Sequence, residues 1–266
     1  MFITFLTDFG LQDDFVGTCH GVMKRIAPDV QVIDITHGIP AQAVLQGSLV
    51  LANTIAYMPV GVHLAVVDPG VGGPRRPLAL EDGEGRLYVG PDNGLLLPAA
   101  RRAGLVAAHE LANPAYALET ISRTFHGRDL FAPAAAHLAL GVPLEELGPP
   151  LDPESLVSLD VLPPEIRDGI ALATVLYVDS FGNIALNLTR EDVEKIGIVS
   201  GAQVEIELAG ESYYAVAART FTDARPGDVI LYQDSYANMS VAISRGSAAR
   251  ILHASPGQRI RVSPRL

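Results

Sequence analysis

Residues 2–36, FITFLTDFGLQDDFVGTCHGVMKRIAPDVQVIDIT, carry the pattern that decides the fold. Phe2 to Thr7 is an apolar run of strand length. Asp14 to Ala27 then places Phe15, Val16, Cys19, Val22, Met23 and Ile26 at the spacing of one helix face, and Pro28 stops the helix. Val30 to Ile35 is apolar and rich in β-branched residues again. Strand, helix and strand in succession predict a βαβ unit around a parallel sheet. The alternation continues outward. Ala41 to Tyr57 reads as a helix ending before Pro59, and Val62 to Val67 as a third strand running straight into Asp68-Pro69-Gly70. Leu78 to Leu80 and Leu87 to Val89 read as a hairpin around Asp82-Gly83-Glu84-Gly85, followed by helices from about Leu95 to Ala103 and from Arg128 to Leu140. Three strands thus end on Asp8, Thr36 and Asp68. Ligands of an open α/β sheet sit outside the carboxyl ends of its strands, so these three ends can face one crevice.

Between Gly148 and Arg167 the chain thickens in proline, with Pro149, Pro150, Pro153, Pro163 and Pro164, which signals a linker. Beyond Gly169 the apolar period becomes two, in Ile170 to Val178, Ile184 to Leu188, Val204 to Leu208, Tyr213 to Ala218, Val229 to Tyr232, Met239 to Ile243 and Ile260 to Val262. Turns of Gly, Asp and Pro separate these runs, as in a small barrel-like all-β domain. The expected fold class is therefore α/β. An N-terminal βαβ domain with a mostly parallel central sheet fills residues 1–155, a Pro-rich linker 156–168, and a C-terminal all-β barrel-like domain 169–266. No internal repeat stands out.

Composition narrows the function. The 266 residues are 48% hydrophobic and 18% charged, which suits a packed globular chain and not a disordered one. A formal charge of -11 and scattered arginines offer no footprint for phosphate backbones or anionic lipid, so neither nucleic acid nor membrane is an expected partner. Cys19 is the only cysteine, which excludes an intramolecular disulfide and a cysteine-based zinc site. The start of the chain has no basic leader and no cleavage motif, and no run reaches 18 apolar residues, so a cytoplasmic protein is expected.

Four segments offer chemistry. Thr7-Asp8-Phe9-Gly10 ends the first strand, and the Asp8 carboxylate suits a ribose diol, whose vicinal hydroxyls are a matched pair of donors. A divalent metal is the competing reading of Asp8, while Asp13 or Asp14 reads as the cap of the following helix. Val67 to Arg75 (VDPGVGGPR) lets backbone approach a ligand closely, yet it matches neither GxGxxG nor a P-loop; its Asp68 and Arg75 also read as a surface ion pair. His126, in Phe125-His126-Gly127-Arg128-Asp129, is placed to act as acid, base or water-holder, with a surface or capping histidine as the alternative. Asp179-Ser180-Phe181-Gly182-Asn183 and Asp234-Ser235-Tyr236-Ala237-Asn238 both read as Asx turns, but a bare turn needs no aromatic beside an amide. Phe181 with Asn183 is a pair suited to stacking on a base and reading its edge.

Taken in order, these motifs resemble the S-adenosyl-L-methionine (SAM) hydroxide adenosyltransferase family, the SAM hydrolases related to the bacterial fluorinase and chlorinase. The resemblance covers essentially the whole chain. It implies hydrolysis of SAM to adenosine and L-methionine, with SAM as substrate, no cofactor and no metal. It also implies a homotrimer whose sites lie between the N domain of one subunit and the C domain of the next. By the same resemblance Asp8 takes the ribose hydroxyls, Asp179 and Ser235 the amino and carboxylate groups of the methionine part, and Phe181 and Asn183 the adenine. Asp68, Arg75 and His126 match the set that holds and activates water. The halogenating relatives look to have a tyrosine at the place of Asp68 and a Tyr-Ser or Tyr-Gly pair around His126 to Gly127. This chain also lacks the fluorinase's long insertion after the third strand, and Tyr236 stands where the fluorinase has an arginine near the methionine carboxylate. Two other readings stay open: a halide-using adenosyl transferase, and a non-catalytic SAM or adenosine binder.

Overall fold

The computed structural model describes residues 1–265 and divides into two compact units, Met1–Leu159 and Asp160–Leu266. Unit 1 runs β1 (Phe2–Thr7), α1 (Phe15–Ile26), β2 (Gln31–Thr36), α2 (Val44–Thr54), β3 (Val62–Val66), β4 (Pro77–Asp82), β5 (Leu87–Pro91), α3 (Leu97–Arg101), β6 (Leu105–Glu110) and α4 (Ala132–Ala139). Its sheet has the order β2-β1-β3-β5-β4-β6. The first four strands in that order are mutually parallel, and β4 is antiparallel to both of its neighbours. Because a strand sends alternate side chains to opposite faces, Ile3 and Phe5 pack with α1 and α4, whereas Leu6 packs on the other side with α2 and α3. Helices thus cover both faces, as a buried parallel sheet requires.

The expected βαβ unit is present, and α2 stops as read, its last turn tightening to a 3-10 turn at Ile55–Tyr57 before Pro59. β6 was not foreseen. Asp14 occupies the N-cap position of α1 but makes no capping hydrogen bond; its carboxylate accepts instead from the Thr18 hydroxyl at 2.9 Å.

The parallel core encloses a titratable group. His63 on β3 is fully buried, its Nδ1 paired with Thr4 Oγ1 at 2.8 Å and its Nε2 without a partner. Burial, then the positive charge of Arg86, lowers its pKa from 6.5 to about 4. The unfolded chain therefore binds a proton that the folded chain refuses across this interval, so stability is full above about 6.5 and falls as pH drops toward 4. This one residue accounts for a loss of about 3 kcal/mol over that interval. Urea midpoints measured at several pH values check it, and His63→Gln removes its share of the slope.

Unit 2 runs β7 (Glu165–Arg167), β8 (Ile170–Val178), β9 (Ile184–Thr189), α5 (Arg190–Lys195), β10 (Gln203–Leu208), β11 (Glu211–Ala217), β12 (Val229–Gln233), β13 (Asn238–Ile243), α6 (Ala248–Ile251) and β14 (Arg259–Pro264). The sheet order is β14-β10-β11-β12-β13-β9-β8-β7, and β14 also pairs with β8. That pairing closes seven strands into a barrel and leaves short β7 appended to β8, so the barrel has no long free edge. Alternate residues such as Val204, Ile206 and Leu208 fill the interior with Ile260 and Val262. Among the described residues no helix is long and apolar enough to cross a membrane.

Candidate active site

The parallel register of unit 1 decides what meets at its carboxyl edge. Thr7 lies opposite Val66, so Asp8 and Asp68 follow the ends of two adjacent strands. Asp8 is anchored, because its Oδ2 accepts the Gln42 backbone N–H at 2.8 Å. Gln42 has φ +66°, a left-handed conformation uncommon for a residue with a side chain, and this bond helps to hold it.

Asp68 begins a loop built on glycine. Gly72 has φ +74°, and a Cβ there would meet the Arg123 carbonyl oxygen at 2.3 Å. Backbone therefore packs directly on backbone, which brings the Asp68 loop against the segment that leads to His126. That segment is tied down by Asp129, fully buried, which accepts from Ser122 N at 2.8 Å and from Arg128 Nε at 2.5 Å. His126 sits just before a single π turn, Gly127–Phe131, that runs into α4. Such turns widen a helix and recur at functional sites.

Arg75 joins the two segments. Its Nε donates to both oxygens of Asp68 at 3.1 Å, and its Nη2 donates to Asp68 Oδ2 at 2.6 Å and to His126 Nδ1 at 2.8 Å. The guanidinium also stands over the fully buried Phe131 ring, 5.1 Å from its centre. The Arg75 and Asp68 side chains are only 10% and 5% exposed, so this is a buried pair and the surface ion pair is not what forms. An arginine only donates, so His126 Nδ1 must accept, and the neutral ring carries its proton on Nε2. Burial, followed by the Arg75 charge, holds the His126 pKa below 6.5, which keeps the ring neutral. The arrangement thus presents a carboxylate and an imidazole N–H, both fixed by one guanidinium.

Unit 2 carries the remaining candidates in two turns of one design. Asp179 Oδ1 accepts from Phe181 N and Asn183 N, both at 2.9 Å. Asp234 Oδ1 accepts in the same way from Tyr236 N at 2.9 Å and Asn238 N at 3.0 Å. Each turn closes with a further backbone pair, Asp179 with Asn183 and Asp234 with Asn238, and each has a left-handed residue, Gly182 at φ +83° and Ala237 at φ +67°. The two stretches thus share one turn structure and the pattern Asp-Ser-aromatic-small-Asn, a correspondence too short to stand out as an internal repeat in the sequence. The turn chemistry is real and leaves the aromatics outside: Phe181 is 78% exposed and Tyr236 44%. Asn183 Nδ2 donates to Asp179 Oδ2 at 2.7 Å, and Ser235 is exposed. Asp234, which organises the second turn, was not singled out from the sequence; nor were the Gln42 backbone N–H and the Phe131 ring.

The structure brings together Asp68, Arg75 and His126 on unit 1, with Asp8 at the same sheet edge. It groups Asp179 with Phe181 and Asn183, and Ser235 with Tyr236, on unit 2. Unit 1 thus gathers an acid, a guanidinium and an imidazole at the edge of an α/β sheet, and unit 2 is a barrel bearing two exposed aromatic turns. The chain belongs to the SAM hydroxide adenosyltransferase family: the N-terminal domain of that family matches residues 3–148 and the C-terminal domain residues 173–261. It is 48% identical over 264 residues to an (R)-S-adenosyl-L-methionine hydrolase of Salinispora arenicola, covering 98% of this chain and 97% of that one. An enzyme of the same description from Thermus thermophilus is 39% identical, covering 98% of each chain. A fluorinase of Nocardia brasiliensis is 30% identical over 98% of this chain and 96% of its own. The crystal structure of an uncharacterized conserved protein from Thermotoga maritima superposes with a TM-score of 0.90 at 33% identity, covering 98% of this chain and 99% of that one.

Proposed function

We propose that the protein hydrolyses SAM to adenosine and L-methionine by attack of water at the ribose 5' carbon. The observation that carries this reading is the hydrogen-bonded set Asp68, Arg75 and His126. In the reaction the water oxygen forms a bond to the 5' carbon while the carbon–sulfur bond breaks. Sulfur keeps the electron pair and leaves as the neutral thioether of methionine, so no acid is needed. The enzyme must supply an aligned water and a place for its proton.

The His126 tautomer divides these tasks. With Nδ1 occupied by Arg75, His126 offers Nε2–H to one lone pair of the water, and a second lone pair remains for the carbon. Asp68 then accepts a water proton. A weak carboxylate base suffices, because the oxygen becomes strongly acidic as its bond to carbon forms. Arg75 aims both partners.

Asp8 accepts from the ribose hydroxyls through the lone pairs that Gln42 leaves free. The Asp179 carboxylate uses three of its roughly four acceptor positions within its turn, and the one left suits the methionine ammonium. Ser235 serves the methionine carboxylate, with Tyr236 beside it. Phe181 stacks on adenine, and Asn183 keeps its carbonyl and one N–H for the base edge. A homotrimer that sets the N domain of one subunit against the C domain of the next assembles both halves of the site. The reaction so written uses no cofactor.

Incubation of the protein with SAM in chloride buffer tests the reading. Adenosine and methionine in equal amounts are expected, whereas 5'-chloro-5'-deoxyadenosine, or SAM recovered intact, contradicts it. The rate is flat at neutral pH and falls on an acid limb with its midpoint below 6.5, because a protonated His126 can no longer accept from Arg75.

A further inference from the structure

We infer that His20, Asp34 and His37 form a binding site for a zinc-class divalent cation on unit 1, separate from the Asp68, Arg75 and His126 set. Asp34 lies on β2, His37 follows that strand by one residue, and His20 projects from α1. One ligand atom from each falls within 4.8 Å of the other two. His20 Nε2 is 2.9 Å and His37 Nε2 3.2 Å from the same Asp34 Oδ1. Ligands about 2.0–2.1 Å from a tetrahedral zinc stand about 3.3 Å apart, so small movements of exposed side chains admit an ion.

His37 is the second and independent observation. Its side chain is 3% exposed, and its Nε2 is buried without a hydrogen-bond partner even though Asp34 is near. In the tautomer whose Nδ1–H donates to Thr7, the Nε2 lone pair is buried and unpaired, which is costly unless an ion occupies it. Its other nitrogen, Nδ1, is paired with Thr7 Oγ1 at 2.8 Å, and the ring packs edge-on against Phe5. A metal-bound histidine is held in the same way, with its second nitrogen engaged and its ring plane fixed. His20 is 31% exposed and Asp34 43%, which gives the ion a route in and leaves its fourth position to water. Two imidazoles and one carboxylate suit zinc and similar borderline ions better than magnesium or calcium, which prefer all-oxygen sites.

The ion would sit behind the Asp8 loop, because Thr7 precedes Asp8 and the His37 carbonyl accepts the Gly10 N–H at 2.8 Å. Binding therefore stiffens the strand end that carries Asp8.

The test is calorimetric titration of chelator-treated protein with zinc chloride, together with visible absorption on titration with cobalt(II). One equivalent of zinc per chain is expected, with an intense tetrahedral cobalt spectrum. His20→Gln and Asp34→Asn, both at partly exposed positions, each weaken zinc binding at least tenfold while circular dichroism stays unchanged. Absence of zinc binding at submillimolar concentration overturns the inference. So does stoichiometric binding that both variants leave intact, since the ion then sits elsewhere.

Discussion

Asp68→Asn lowers kcat for SAM cleavage by about 10²- to 10⁴-fold and leaves KM within about threefold, the signature of an interaction used only in the transition state. Asparagine keeps the shape of aspartate, and its carbonyl still accepts from Arg75, so the loop geometry survives. The amide takes no proton from the attacking water; it also removes the negative charge beside the buried Arg75, so the thermal midpoint is measured alongside the rate. Alanine is the poorer probe. It leaves the Arg75 guanidinium buried beside an empty place, and breaking a buried pair from one side costs about 3–5 kcal/mol. A variant that loses rate and stability together cannot separate chemistry from collapse. Turnover of Asp68→Asn within tenfold of the parent would transfer the proton acceptor away from Asp68, and a rise in KM matching the fall in kcat/KM would make Asp68 a substrate-positioning group.

Gly72→Ala costs kcat/KM about 10²-fold, because displacement of catalytic groups by about 1 Å is enough for that loss. The added Cβ would stand 2.3 Å from the Arg123 carbonyl oxygen at a backbone φ of +74°. The left-handed conformation costs an alanine about 1–2 kcal/mol, and the contact forces the two backbones apart on top of it. That separation pulls Asp68 and Arg75 away from His126. Gly85→Ala is the matched control, since its φ is +77° but nothing lies within 4 Å of the new Cβ. It likewise loses about 1–2 kcal/mol of stability and keeps its rate. Thermal midpoints and steady-state kinetics on the pair separate strain from displacement. Equal rates for the two variants would refute the part assigned to the Gly72 contact.

The parts of the fold that were legible were those in which burial dictates residue type. Phe2 to Thr7 is a strand over the very residues where the apolar run lies, and the shift to period two beyond Gly169 marks the barrel. β6 was missed because Leu105 to Glu110 holds two alanines and an exposed Val106 at the sheet edge, where little is buried to shape the pattern. α5, α6 and β7 are too short to carry a period.

The sequence offers Asp68, Arg75 and His126 as candidates but not the contacts that join them. Arg75 and His126 are 51 residues apart, and nothing in that spacing shows that one nitrogen of Arg75 reaches both Asp68 and His126. The contact depends on Gly72 meeting Arg123, a close approach that only the folded backbone reveals. The choice between Asp68 and His126 as proton acceptor was open from residue types alone. The direction of the Arg75 hydrogen bond supports Asp68, because it leaves His126 with a donor. His20, Asp34 and His37 were hidden for a similar reason, because a helix and the end of a neighbouring strand bring them together.

The central claim is that water, held by His126 and Asp68, attacks the 5' carbon. Its most direct test is turnover of SAM in water enriched in oxygen-18, with the nucleoside identified by mass spectrometry. The account predicts adenosine carrying the heavy oxygen at its 5' position, and methionine free of it. Adenosine without the label, or a nucleoside carrying any atom other than water oxygen at that carbon, would contradict it.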